Sequence, residues 1–167
     1  MQDEIERQVT QFLENLDVPF EVIPIDPALA DTAEFCAHYG FPLDHAGNTI
    51  ICASKREPTQ YCACVVTATT RLDVNHAVKR LMGVSRLSFA GAEETKALTG
   101  MMIGGVTVFA LPPALPIYVD ERVMALDYVI VGSGSRSSKL KIAPAVLRHV
   151  PNAHVVPDLA VEPPPSP

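Results

Sequence analysis

The chain has no tryptophan, and aromatic residues of every kind make up only 6% of it. Its core must therefore be filled mainly by aliphatic side chains rather than large rings. It also has no apolar run near the roughly 18 residues that a membrane-spanning helix needs. The first residues, Met1-Gln2-Asp3-Glu4-Ile5-Glu6-Arg7, lack the basic start and apolar block of a secretory signal, so a cytoplasmic protein with no membrane partner is expected. A basic excess is missing too: 13 Lys and Arg stand against 19 Asp and Glu, a formal charge of −6. Proteins that grip long nucleic acid by its backbone usually show the opposite sign. DNA is therefore not an expected partner, and any contact with nucleic acid should be local, with one end of a strand.

Several chemical signatures are absent as well. No Gly-x-Ser-x-Gly elbow marks a serine nucleophile. The five histidines (His38, His45, His76, His149, His154) are scattered, and only His45 lies near a candidate segment. Of the four cysteines, Cys36, Cys52, Cys62 and Cys64, the last two share one face of a strand-like run. Cys62-Ala-Cys64 lacks the two-residue spacer of a zinc knuckle, and no His/Cys pair follows at a suitable distance. Buried, reduced thiols are expected, with no metal and no other cofactor.

What is present is a body that is 48% hydrophobic and 19% charged over 167 residues, enough to bury one sizeable core without disulfides. Ile5, Val9, Phe12, Leu13 and Leu16 fall at helical spacing, which predicts a first helix ending before Pro19. Phe20–Ile23 reads as a strand. Asp31 or Thr32 caps a second helix closed by Gly40. Thr49–Ala53 and Tyr61–Thr67 read as a hairpin around a polar link. Asp73 is the expected cap of a helix over Val74–Met82, and Gly83 its end; Leu87–Phe89 is strand-like, and Ala92–Leu98 forms a short helix before Gly100. Strands are predicted over Val106–Leu111, Ile117–Val119, Tyr128–Val131, Leu140–Ile142 and Ala153–Val156, with a short helix over Ala145–His149 behind Pro144. Many gaps between strands are too short for crossover helices. The pattern therefore predicts an α/β fold of the α+β type, with a single compact domain over residues 1–160 and a mixed, largely antiparallel sheet surrounded by helices. Residues 161–167 read as a proline-rich, flexible tail.

Two glycine-bearing segments stand out: Thr99-Gly100-Met101-Met102-Ile103-Gly104-Gly105-Val106-Thr107-Val108 and Val131-Gly132-Ser133-Gly134-Ser135-Arg136-Ser137-Ser138-Lys139. Bare N–H groups in such bends can approach a ligand closely. Arg136 and Lys139 suit an anionic or ribose-phosphate group.

Taken with Ala46-Gly47-Asn48-Thr49-Ile50-Ile51, Val66-Thr67-Ala68-Thr69-Thr70-Arg71-Leu72-Asp73 and Val119-Asp120, the order of these segments resembles the YbaK/prolyl-tRNA-synthetase-associated domain family over roughly Ile5 to Leu159. The resemblance implies an aminoacyl-tRNA deacylase that acts in trans, hydrolysing the ester of a mischarged tRNA at its acceptor end. Homodimerisation is left open. In such domains a lysine before the first hairpin strand contacts substrate near the ester; this chain has Asn48 there. It also has Val108 where a loop proline is usual and Ala110 where a glycine is usual. A branch with Asn-Thr at this point and Gly-Ser-Gly-x-Arg-x-Ser-Lys later is closer to this sequence. An amide offers a neutral donor and acceptor in place of a full positive charge. A second reading is therefore a module that keeps the pocket, binds aminoacyl-adenosine or a related ligand, and hydrolyses weakly or not at all.

On this resemblance the catalytic candidates are Asn48 and the backbone of Gly104, Gly105 and Val106, around the carbonyl or the amino-acid side chain. The substrate-binding candidates are Thr49, Thr107, Val108, Asp120, Ser133, Gly134, Arg136 and Lys139. Asp120 could orient a loop amide or Arg136, or simply cap the segment Glu121–Leu126. Arg71, Lys79 and Arg80 could touch the acceptor end or form a solvated face.

Overall fold

The computed structural model describes residues 3–163. Helix α1 (Glu4–Asn15) starts where Asp3 accepts a hydrogen bond from the Glu6 N–H at 2.8 Å, which satisfies one of the orphan donors of the first turn. Its apolar stripe buries Val9 and Leu13 completely. That stripe lies over the second glycine segment, since a Cβ on Gly134 would touch Val9 Cγ2 at 3.1 Å and Ile5 Cγ1 at 3.2 Å.

The chain then forms β1 (Glu21–Pro24), α2 (Thr32–Tyr39), β2 (Gly47–Ser54), β3 (Tyr61–Thr67) and β4 (Arg71–Leu72). Gly40 closes α2 in the left-handed region, φ 79°, as the sequence predicts. The predicted helix over 74–82 is a π-helical turn, Val74–Val78, running into α3 (Lys79–Met82). Asp73 makes no side-chain bond to a helix N–H there; its carboxylate meets His76 Nδ1 at 3.0 Å instead. β5 (Leu87–Phe89) and α4 (Ala92–Thr99) follow, then β6 (Ile117–Asp120), α5 (Glu121–Met124), β7 (Val129–Gly132), β8 (Ser138–Ile142), a 3-10 turn over Pro144–His149, β9 (Ala153–Val156) and β10 (Ala160–Val161).

The main sheet has the order β5-β2-β3-β6-β9. β2 pairs antiparallel with β3 and β5, while β3, β6 and β9 run parallel. A second, antiparallel sheet has the order β1-β8-β7, and β4 pairs with β10. The expected α+β domain with a mixed, largely antiparallel sheet is the fold observed. Strand alternation divides the core: Ala63 and Val65 face the larger cluster with Val9, Leu13, Phe109 and Val131, while Cys62, Cys64 and Val66 face a second cluster with Leu72, Val78 and Leu159.

One strand prediction fails. Val106–Leu111 is a buried loop with no sheet partner. Val106, Val108 and Phe109 are buried because the loop is tucked under α1, so their apolar character reflects burial and not a ladder. The Thr107 N–H goes to the Met101 sulfur at 3.4 Å, and Ala110 takes a φ of 64°, which a strand cannot contain. Ala110 thus occupies a left-handed conformation that favours glycine.

Val161, read as the start of the tail, pairs with Arg71 in the β4–β10 ladder; residues 164–167 of that tail lie outside the described residues. Asp120, with no exposed surface, holds this end. Its carboxylate accepts from the Arg122 N–H at the start of α5 and from the Ala160 N–H, both at 2.8 Å. Among the described residues no helix is long and apolar enough to cross a membrane.

Candidate active site

Strand β5 pairs with β2 only at Cys52, Ala53 and Ser54. Beyond Ala90, whose N–H donates to Ile51 O at 2.8 Å, the chain turns away into α4. The first half of β2 therefore leaves its edge open, and a cavity of about 280 Å³ lies against it. Gly47, Asn48, Thr49, Ile50 and Ile51 form one wall. Consecutive residues can line the same cavity here because backbone as well as side chains face it. Phe89, Ala90 and Thr95 close it from β5 and α4, and Asp31 and Thr32 from the start of α2. Ile103, Gly104, Val106, Gly132 and Lys139 come from the two glycine segments.

Those two segments pack directly on each other. The Gly134 N–H donates to Gly105 O at 2.7 Å. A Cβ on Gly105 would lie 2.8 Å from the Ser135 carbonyl, and one on Gly132 would collide with the Val106 carbonyl and sit 2.7 Å from Gly105 O. No side chain fits at either position, so the glycines permit the approach as well as the turn. Arg136 ties the junction together. Its guanidinium donates to Pro27 O at 3.0 and 3.2 Å, to Ile103 O at 2.7 Å and to Asp31 Oδ1 at 3.2 Å. Within the loop, Ser138 Oγ donates to Ser133 Oγ at 2.7 Å, and Ser133 Oγ donates to Ser138 O at 3.0 Å.

Lys139 is the cation in the cavity wall and is only 6% exposed. Its Nζ donates to Gly104 O at 2.8 Å and lies 5.8 Å from the Phe35 ring centre. Burial, reinforced by the Arg136 charge, brings its pKa down to about 8; Asp31 and Cys36 pull the other way. An ammonium has three donors, and among the described residues only Gly104 O takes one. Asn48 is half-buried, and its Oδ1 accepts from Thr32 Oγ1 at 2.6 Å. That bond leaves the amide NH₂ as the free end.

Of the residues singled out in the sequence, Asn48, Thr49, Gly104, Val106 and Lys139 share the cavity. Gly105 and Arg136 lie immediately behind its wall and shape it. Ser133 and Gly134 are inside the second loop, with their polar groups used within the protein. Thr107 and Val108 are buried in the core beside Met101 and Phe109 and do not line the cavity. Asp120 is engaged with α5 and β10. His45 packs against the Tyr128 ring at a tilt of 32° and bonds Asp44 at 2.7 Å and Asp127 at 2.8 Å, away from the cavity wall. Sequence reading did not bring in Asp31, Thr32, Phe89, Thr95 or Ile103 as site residues. Asp31 had a signal of another kind, a cap position, yet its carboxylate makes no cap hydrogen bond and turns to Arg136.

The thiols are buried and free, as expected. The fold adds Cys52 to Cys62 and Cys64, because Cys52 is the cross-strand partner of Cys62. The three sulfurs lie within 4.8 Å of one another, on the far side of the sheet in the second core cluster.

The model of a family described as the aminoacyl-tRNA editing domain matches residues 26–150. Among solved structures, hypothetical protein APE2540 superposes with a TM-score of 0.81 at 27% identity, covering 92% of this chain and 99% of its own. A protein described as a candidate trans-editing enzyme for prolyl tRNA synthetase superposes with a TM-score of 0.82 at 22% identity, covering 98% of this chain and all of its own. No curated protein matches significantly. The family match runs from just after β1 through the last 3-10 turn and contains every wall of the cavity, and on that ground the chain belongs to the aminoacyl-tRNA editing domain family.

Proposed function

We propose that the cavity receives the aminoacyl group of a mischarged tRNA and that the protein hydrolyses the ester joining it to the terminal ribose. The observation that carries this reading is a buried ammonium with spare donors, Lys139, facing the same small cavity as the Asn48 amide. Ester hydrolysis needs stabilisation of the oxyanion that forms when water adds to the carbonyl. The charge usual for the family at the position of Asn48 would then come from β8 instead of β2. Asn48 would supply the second, neutral donor, fixed by Thr32. Asp31, held by Arg136 at the rim, is an acceptor for the α-ammonium of the aminoacyl group. Water adds to the carbonyl carbon, the carbon–oxygen bond to the ribose breaks, and the ribose oxygen leaves with a proton. The neighbouring ribose hydroxyl can relay that proton, which accords with the lack of a histidine in the cavity wall.

The test is deacylation of a panel of misacylated tRNAs by the wild-type protein and by Asn48→Ala. Turnover of at least one member, reduced tenfold or more in Asn48→Ala with folding retained, is expected. Turnover unchanged by Asn48→Ala removes that residue from the site. Binding of aminoacyl-adenosine analogues with no turnover of any member favours the module that binds without hydrolysing, a reading motivated by Asn48, Val108 and Ala110.

A further inference from the structure

The net charge of −6 hides a strong local imbalance. Six of the 13 Lys and Arg fall within residues 55–86, namely Lys55, Arg56, Arg71, Lys79, Arg80 and Arg86, and the acids in that stretch are Glu57 and Asp73. The fold gathers three of them. Lys55, Lys79 and Arg86 line one surface depression of about 410 Å³, with no acid in its wall. No ion pair is formed by any of the six among the described residues, whereas Arg7, Arg122 and Arg136 each have a carboxylate partner. Asp73 is turned toward His76.

This depression does not stand alone. It shares Asn75 and Leu87 with a larger one of about 770 Å³, whose wall includes Arg71. The larger one shares Phe89 with the candidate active site. Strand β5 is the floor common to all three. At about 3.3 Å per residue, Arg86 and Phe89 lie about 10 Å apart, so one short single-stranded segment reaches from the cations to the cavity. Phe89 stands at the mouth with 57% of its surface exposed, and Ile103 opposite it with 50%. An exposed ring at a cavity mouth, continuous with unpaired cations, is the arrangement by which proteins bind single-stranded nucleic acid: charges on phosphates and a flat face under a base.

We propose that this trough is the path of the tRNA's single-stranded 3′ end, with Lys55, Lys79 and Arg86 on its phosphates and Phe89 under a base next to the ester. The proposal rests on the reading of the cavity given above. It extends that reading by assigning the surface that delivers the substrate. The negative charge of the rest of the molecule repels RNA elsewhere, so the trough also sets the direction of approach.

The test is fluorescence anisotropy with an uncharged acceptor-stem RNA hairpin carrying a single-stranded CCA end, at several salt concentrations. The double reversal Lys79→Glu/Arg86→Glu is expected to weaken binding tenfold or more and to flatten the salt dependence by about 1.4 in log–log slope, roughly 0.7 per lost single-strand phosphate contact. Phe89→Ala is expected to weaken it roughly five- to hundredfold, and to have no effect on a hairpin lacking the CCA end. Arg148→Glu, on the last 3-10 turn and outside the trough, is the control and should bind as wild type. Equal binding by all variants overturns the proposal, as does an equal loss in the control. Measuring hydrolysis separately keeps the two readings apart. Binding that is lost in the trough variants, without turnover by wild type, upholds the trough and defeats the hydrolytic reading. Turnover with an unchanged KM in those variants does the reverse.

Discussion

Replacing Lys139 by methionine tests the electrostatics of the cavity directly. The side chain keeps its length and loses its charge. In the folded protein burial lowers the pKa of Lys139 from 10.5 to about 8. At about 1.4 kcal/mol for each tenfold change in proton affinity, holding the cation in place costs about 3 kcal/mol. The unfolded chain binds the proton more tightly than the folded one, so stability rises with pH between about 8 and 10.5 and is lowest below 8. Methionine abolishes this dependence. It also forfeits the bond that the charged Nζ donates to Gly104 O, worth about 2 kcal/mol, so a net gain of about 1 kcal/mol at pH 7 is expected. Urea unfolding of both proteins at pH 7 and pH 10.5, followed by circular dichroism, gives the comparison. The stability of the variant relative to wild type should drop by about 3 kcal/mol at the higher pH, while deacylation at pH 7 should fall at least a hundredfold, the scale of losing one oxyanion donor. Deacylation by wild type should decline above about pH 8 as Lys139 loses its proton. Parallel stability at the two pH values would refute the buried-cation argument, and unimpaired turnover would refute its catalytic use.

Gly132→Ala places a methyl group against the Val106 and Gly105 carbonyls. Because these are backbone atoms, a loss of about 3 kcal/mol is expected, read from the urea midpoint; a loss below 1 kcal/mol would mean that the two loops separate readily. Asp127→Asn should lower the pKa of His45, which hydrogen bonds donated by its ring to the Asp44 and Asp127 carboxylates raise above its ordinary 6.5. The stability from this raised value is fully present below 6.5 and fades as pH climbs through the folded-state value. An NMR titration of His45 checks it, and an unmoved midpoint would show that Asp127 plays no part.

How far the sequence reaches differs between the fold and the cavity. The stripe Ile5, Val9, Phe12, Leu13 and Leu16, the αL glycine at 40 and the hairpin around Cys52 and Cys62 are local signals, and each element appears where such signals put it. Val106–Leu111 misleads because a loop buried under a helix needs the same apolar side chains as a strand. The cavity is assembled from α2, β2, β5, α4, the loop over 103–106 and the ends of β7 and β8. Glycines and a lysine within unusual segments could be noticed in advance. Phe89 and Thr95 could not, since nothing local distinguishes them from ordinary strand and helix residues. Among the basic residues of 55–86, Arg71, Lys79 and Arg80 stand out in the sequence as an acceptor-end contact or a solvated face, but only the pairing of β5 with β2 sets Arg86 beside Lys55, through the Lys55 N–H to Arg86 O bond at 3.1 Å.

The carboxylate of Asp120 has a consequence for anyone who shortens this polypeptide. It clasps the Ala160 amide while Arg122 holds the Ala160 carbonyl at 2.9 Å. Truncation after Leu159 would take one of the two backbone amides away from a fully buried carboxylate, leaving it to Arg122 alone, and would unmoor Arg71 from its partner Val161. A fusion or an affinity handle belongs downstream of Pro163, which leaves the clasp and the β4–β10 pairing in place.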